Sequence, residues 1–258
     1  MRLRAICCGL AAVSCLGSFA AEEKKPEKKK EPPKICLMIP PNLVPGTTNQ
    51  LKIRGLNLTN VTEVRFAGWD KTEVAIKMKG KAEVPKEQDV KKWGDTQLEA
   101  EVKVPGEIPA GTNTFKVISL DGESQAHVFE VIRPESLVIE KEPNGSFKQA
   151  QRIEFGKVVQ GTIGEAKDVD VFRFEGKEGA GIVAEIAADR YNSLLDAILT
   201  LYDQAGHIIS SNDDTDAGND PTLQARLPGD GTYYLSVIDA NDKGGQASVY
   251  NLWLKLAK

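Results

Sequence analysis

Short apolar runs alternate with polar residues from residue 35 almost to the C-terminus, and turn-forming residues separate them. Every second residue from Leu98 to Val104 is apolar, for example, which is the repeat of a β-strand. No stretch keeps the 3.6-residue apolar period of an amphipathic helix. Many short strands with turns between them predict an all-β fold class of two tandem β-sandwich domains.

The N-terminus has the composition of a secretory signal peptide at residues 1–20. A short basic start precedes an apolar run at 5–16, and small residues end at Ala20, where a signal peptidase cleaves. One alternative is that this segment stays uncleaved and anchors the protein in the membrane. Another is that it is cleaved before Cys15, which would then carry a lipid anchor. We expect a secreted, periplasmic or cell-envelope protein with no membrane insertion after cleavage.

The segment after the signal predicts a tether. Residues 21–34 consist almost entirely of Glu, Lys and Pro, which cannot bury enough apolar surface to offset chain entropy. We place the first domain at 35–133 and the second at 134–258, because Pro134 disfavours continuation of the preceding strand. The charged insertion at 79–94 is expected to protrude as a loop.

Charge and cysteine content argue against a nucleic-acid-binding protein, a lipid-binding protein and a disulfide-bonded fold. Residues 35–133 carry 13 basic and 13 acidic residues, whereas residues 134–258 carry 12 basic and 20 acidic residues, a net charge of −8. An acidic surface repels nucleic acid and anionic lipid and suits cations. Beyond the signal peptide Cys36 is the one cysteine, so we expect a buried strand residue and no intramolecular disulfide.

The first domain carries an ordered set of family motifs. These are Pro45-Gly46, Gly55-Leu56-Asn57-Leu58, Val64-Arg65-Phe66-Ala67-Gly68, Asp95-Thr96-Gln97-Leu98 and Ala110-Gly111. In this order and spacing the domain resembles the IPT/TIG family of immunoglobulin-like domains. The resemblance implies an immunoglobulin-like sandwich and no activity.

The second domain also carries motifs in family order. They are Glu140-Lys141-Glu142-Pro143-Asn144, Gly161-Thr162-Ile163, Asp168-Val169-Asp170-Val171-Phe172-Arg173-Phe174, Leu201-Tyr202-Asp203 and Asp230-Gly231-Thr232-Tyr233-Tyr234-Leu235-Ser236-Val237. This half resembles the bacterial pre-peptidase C-terminal (PPC) family, whose relatives include the collagen-binding domains of clostridial collagenases. The resemblance implies a jelly-roll-like sandwich that binds an extracellular protein or polysaccharide.

Five oxygen-bearing residues form the candidate metal site. Glu140, Glu142 and Asn144 alternate, so in an extended segment their side chains lie on one side, about 6.5–7 Å apart. Asp168 and Asp170 repeat this spacing at the entrance of a predicted strand. Carboxylate and amide oxygens suit calcium, whereas zinc or copper prefers His or Cys.

The PPC resemblance implies the same five residues as calcium ligands. Gly145 stands where the family often has Asp, so one carboxylate is missing. The alternative is that the acidic pairs are solvated strand ends.

A second polar cluster predicts either a solvated loop or a weak second cation site. It lacks the glycine and glutamate of an EF-hand loop. Its members are Asn212, Asp213, Asp214, Asp216, Asn219 and Asp220.

No catalytic motif accompanies these features. The chain lacks nucleophile-elbow, zinc-protease, Walker and dinucleotide-binding patterns, and its two histidines, His127 and His207, belong to no recognisable triad. We therefore predict a non-catalytic binding or accessory protein that calcium stabilises. The alternatives are a structural spacer of the envelope that binds no ligand and a hydrolase with an unrecognised carboxylate site.

Overall fold

The protein is described by a computed structural model for residues 30–70, 72–84, 88–216 and 218–257. The predicted signal peptide at 1–20 and most of the predicted tether lie outside the described residues. Residues 31–258 form one compact unit made mainly of strands in four sheets. The predicted all-β class with tandem sandwiches is confirmed.

Two sheets form the first sandwich. Their strands are β1 (Lys34–Ile39), β2 (Asn42–Leu43), β3 (Thr48–Leu56), β4 (Val61–Phe66), β5 (Glu73–Lys81), β6 (Thr96–Lys103), β7 (Gly111–Ser119), β8 (Gly122–Glu123) and β9 (His127–Val131). One sheet has the order β1-β3-β6-β5, and the other has the order β2-β9-β7-β4 with β8 paired to β7. A 3-10 turn covers Leu58–Asn60, and a short helix α1 covers Val90–Trp93.

An aromatic cluster fills the centre of this sandwich. Phe66 stacks on Trp69 with ring centroids 4.8 Å apart, and Phe115 and Phe129 pack against Phe66. The three phenylalanine rings project inward because each occupies an inward-facing position on β4, β7 or β9. Trp69 follows the end of β4. Cys36 is buried on β1, as predicted.

The other two sheets form the second sandwich. Their strands are β10 (Leu137–Ile139), β11 (Gln151–Arg152), β12 (Val158–Thr162), β13 (Val169–Gly176), β14 (Gly181–Ala187), β15 (Ala197–Tyr202), β16 (Ile208–Asn212), β17 (Thr222–Arg226), β18 (Gly231–Asp239) and β19 (Val249–Leu256). The sheet orders are β10-β12-β19-β14-β17 and β11-β13-β18-β15-β16. A 3-10 turn covers Asp189–Tyr191.

The inner faces of these two sheets share one apolar core. Phe172 and Leu235 lie directly opposite each other on β13 and β18, and both are fully buried. Leu201 joins them from β15, and Tyr250 and Leu252 face them from β19. Complete burial of a leucine or phenylalanine side chain contributes about 1.5–3 kcal/mol.

The charged insertion does not protrude as predicted. In its described part, β5 extends to Lys81, and α1 ends at Trp93, which packs against Leu37, Ala247 and Val249. An apolar indole gains more from covering this patch than from standing in solvent. The insertion therefore helps to join the two sandwiches.

Polar contacts also cross the junction. The Tyr191 hydroxyl donates to the Glu130 carboxylate at 3.1 Å, and the Asn192 amide lies 3.5 Å from His127 Nδ1. Burial lowers the pKa of His127 to about 4, so the imidazole is neutral at pH 7. Within the described residues no helix is long and apolar enough to cross a membrane.

Candidate metal centre

Three of the five predicted ligands meet at one end of the second sandwich. A carboxylate oxygen from each of Glu140, Glu142 and Asp170 lies within 4.8 Å of the other two. In the part of the chain that the structure describes, no other trio of His, Cys, Asp or Glu residues brings ligand atoms this close. Asp170 lies on β13, and the two glutamates follow β10.

Asn144 holds the two glutamates in place. Its Nδ2 donates to Glu140 Oε1 at 2.8 Å, and its backbone N–H donates to Glu142 Oε2 at 2.9 Å. The expectation of a continuous extended segment is wrong, because β10 ends at Ile139 and Glu142 lies in a bend. The side chains converge through these hydrogen bonds rather than through a strand repeat.

Tyr250 belongs to the same cluster, which the sequence did not reveal. Its hydroxyl donates to Asp170 Oδ2 at 2.6 Å and lies 3.4 Å from Glu140 Oε1. Gly161 stands directly opposite Tyr250 in the β12–β19 register, and a Cβ there would collide with the phenol ring. The glycine therefore provides the space for the ring.

Two buried oxygens of the cluster have no hydrogen-bond partner. Asn144 and Asp170 each have 0% exposure, and Asn144 Oδ1 and Asp170 Oδ1 remain unpaired among the described residues. Leaving a buried acceptor unsatisfied costs about 1–3 kcal/mol. Both oxygens belong to residues that surround the three converging carboxylates.

The carboxyl groups are poorly solvated as well as crowded. Burial, with the neighbouring Glu140 carboxylate second, raises the pKa of Asp170 to about 9. Burial also raises the pKa of Glu140, and it raises the pKa of Tyr250 with help from both carboxylates. At neutral pH a proton therefore stays on this carboxyl pair when no cation neutralises it.

Asp168 lies beside this cluster but is not one of the converging trio. Its Oδ2 accepts from the Gly164 N–H at 2.7 Å, and its Oδ1 accepts from the Val169 N–H at 2.9 Å. Both oxygens therefore shape the turn that leads into β13. Its role as a metal ligand stays a prediction.

The second polar cluster is divided between structural roles. Asp220 is buried, and its carboxylate accepts from the Ala188 and Asp189 N–H groups and from Arg190 Nε. Asn212 lies at the end of β16 and donates to the Thr222 carbonyl at 2.8 Å. These two residues stabilise loops, and a second cation site there stays untested.

The comparison with protein families identifies the class of the second sandwich. Residues 168–239 match the family model of the bacterial pre-peptidase C-terminal domain, so the predicted PPC resemblance is confirmed for this segment. The segment runs from Asp168 to the end of β18 and includes Asp170. The IPT/TIG resemblance of the first sandwich stays a prediction.

One curated protein is similar to part of this chain. A probable subtilase-type serine protease of Deinococcus radiodurans is 38% identical over 103 residues, which are 39% of this chain and 14% of that protein. The chain thus spans about a seventh of the length of this curated relative.

Two solved structures are also similar to parts of this chain. The pre-peptidase C-terminal domain of a Bacillus anthracis collagenase shares 18% identity over 45% of this chain and 100% of its own, with a TM-score of 0.36. SGBP-B of the Bacteroides ovatus mixed-linkage glucan utilization locus shares 11% identity over 82% of this chain and 71% of its own, with a TM-score of 0.25.

Proposed function

We propose that this chain is an exported, non-catalytic binding module whose second sandwich holds calcium and attaches to an extracellular polymer. The observation that carries the calcium part is the pair of unpaired, fully buried oxygens on Asn144 and Asp170 beside converging carboxylates. A cation contacting these oxygens would remove their desolvation cost and offset the burial and the Glu140 charge that raise the pKa of Asp170.

The donor set fits calcium. Calcium binds six to eight oxygens at about 2.3–2.6 Å, so two ligands on opposite sides of the ion lie about 5 Å apart. The carboxylate oxygens of Glu140, Glu142 and Asp170 lie within 4.8 Å of one another, which one coordination sphere accommodates. The Asn144 side chain supplies a neutral oxygen. Water and backbone oxygens complete such spheres in other proteins.

Charge balance also supports a cation. None of the ion pairs among the described residues involves Glu140, Glu142 or Asp170. Buried carboxylates without a basic partner either keep a proton or bind a metal. A bound calcium ion would tie the segment after β10 to β13 and so stiffen this end of the sandwich.

The polymer-binding part rests on the PPC match and on the predicted export. The name of the family refers to peptidases, and the Deinococcus relative is named a probable subtilase-type serine protease. The partner is an extracellular protein or polysaccharide. Here the matched segment belongs to the second sandwich, which the Trp93 patch joins to the first sandwich.

A binding panel tests this function on the chain from residue 21 onward. Cellulose, chitin, peptidoglycan, collagen and polygalacturonate are each incubated with the protein, once with calcium and once with a chelator. We expect retention on one polymer, and stronger retention with calcium. Concentration-dependent self-assembly without retention on any polymer would instead support the structural spacer.

A further inference from the structure

The two sandwiches enclose a cleft next to α1. Its volume is about 540 Å³, which lies inside the range of about 300–1,000 Å³ typical of ligand sites. One wall comes from the start of β1 and from α1, and the other comes from loops of the second sandwich. The charged insertion at 79–94 contributes Lys91 and Lys92 of α1 to the first of these walls.

The two walls carry opposite charge. Lys34, Lys91 and Lys92 line the first wall, and Asp189 and Asp196 line the second. No ion pair among the described residues joins one wall to the other. The Lys34 Nζ donates instead to the Lys91 carbonyl at 3.1 Å, which fixes the lysine wall without neutralising it. On the second wall the Asp196 carboxylate accepts a hydrogen bond from Asn241 Nδ2 at 2.9 Å, so the charges of both walls keep no ion-pair partner across the cleft.

From this arrangement we infer that the cleft binds a segment of a carboxylated polysaccharide, a polymer of uronate sugars. The inference rests on the proposed polymer-binding function and names the polymer class. Ammonium groups of Lys91 and Lys92 would bind uronate carboxylates by charge-assisted hydrogen bonds. On the opposite wall, Asp189 would accept from sugar hydroxyls, and the Asn219 amide can both donate and accept.

The shape of the cleft favours a chain over a single sugar. A second cleft of about 400 Å³ shares Lys92 and Leu194 with the first and adds Lys243 on its far side. The two clefts form a groove that runs past α1, with basic side chains along it. The second sandwich has a net charge of −8. However, physiological salt screens interactions between charges that are more than about 8–10 Å apart. The nearby lysines therefore dominate the electrostatic potential in the groove.

An acidic protein segment fits the cleft less well. Protein partners gain most of their affinity from buried aromatic and arginine anchors, and the described wall of the first cleft has none of these. Short polar side chains that alternate donors and acceptors suit hydroxyl groups better. Polyglutamate therefore serves as the comparison ligand that carries carboxylates without sugar hydroxyls.

Affinity electrophoresis of the chain from residue 21 onward tests this inference, with polygalacturonate, dextran or polyglutamate in the gel. We expect retardation by polygalacturonate alone. The Lys91→Gln, Lys92→Gln double variant should bind about tenfold more weakly, because two charge-assisted contacts are lost. Lys103→Gln, Lys116→Gln is the matched control, since both lysines are exposed on the first sandwich away from the cleft, and it should bind like the wild type.

Asp189→Ala separates a built site from general charge attraction. Asp189 is exposed, so its replacement leaves the fold intact. Removing a negative charge strengthens non-specific attraction to a polyanion, whereas loss of a hydroxyl acceptor weakens specific binding, here by about threefold or more. Stronger binding by this variant would overturn the inference.

Two further results would also overturn it. They are equal binding by the double-lysine variant and its control, and equal retardation by polyglutamate and polygalacturonate. If polygalacturonate fails but another polymer of the binding panel retains the protein, the cleft inference falls and the proposed function stands. If no polymer retains the protein, the polymer-binding function falls with it.

Discussion

The buried carboxyl of Asp170 should make the metal-free protein less stable as the pH rises. Its folded pKa is about 9, because burial and then Glu140 raise it, whereas an aspartate in an unfolded chain has a pKa of about 3.9. Between these values the folded state binds more protons than the unfolded state. The free energy of unfolding therefore falls with rising pH, by at most about 1.4 kcal/mol per pH unit.

The window from pH 7 to 8 isolates this effect, because the Cys36 thiol, whose pKa is raised by burial, adds to it only above about pH 8. The pKa of His127 is lowered by burial to about 4, against about 6.5 in the unfolded chain, so His127 costs stability only as the pH falls below about 6.5. Above pH 7 its imidazole is neutral in both states. The fall in stability from pH 7 to 8 then reports the carboxyl pair of Glu140 and Asp170.

Urea unfolding in the presence of a chelator measures this slope. We expect the wild type to lose about 1 kcal/mol between pH 7 and pH 8, and Asp170→Asn to lose much less, because its amide does not titrate. Asp168→Asn is the control at the same strand entrance and should keep the wild-type slope. A wild-type stability that is flat or rises from pH 7 to 8, or an equal slope in Asp170→Asn, would refute this argument.

Three substitutions test other parts of the structure. Tyr191→Phe removes the hydrogen bond to Glu130 across the junction and should lower the free energy of unfolding by about 1 kcal/mol in urea melts; no change would mean that the contact is replaced by water. Leu235→Ala should cost about 2–5 kcal/mol in the same assay, since this side chain is fully buried, and a loss below 1 kcal/mol would contradict the described core. Gly161→Ala should displace the ring of Tyr250 and abolish the calcium-dependent rise in melting temperature, whereas an unchanged rise would exclude Tyr250 from the site.

The strand pattern was largely visible in the sequence because buried positions alternate. The run at 98–104, for example, became β6, with its even-numbered residues buried. Strand β16 was not predicted, since Ser210, Ser211 and Asn212 are polar and this edge strand buries little apolar surface. The docking of Trp93 was also not visible, because it depends on a patch from the other sandwich.

The candidate site was visible only in part. The spacing of Glu140, Glu142 and Asn144 marked the acidic segment, but their convergence comes from a bend and from the Asn144 hydrogen bonds. Tyr250 lies 110 residues away from Glu140 along the chain, so only the sheet register brings its hydroxyl to the carboxylates. Local spacing cannot reveal such a long-range neighbour.

A thermal melt with and without millimolar calcium tests the central claim most directly, on the wild type and on a Glu142→Gln, Asp170→Asn double variant. At 100 times its dissociation constant calcium adds about 2.7 kcal/mol, a rise of several degrees in Tm. We expect this rise in the wild type and in the control Asp213→Asn, Asp214→Asn, but not in the site variant. No rise in the wild type, or an equal rise in the site variant, would contradict a calcium site at Glu140, Glu142, Asn144 and Asp170.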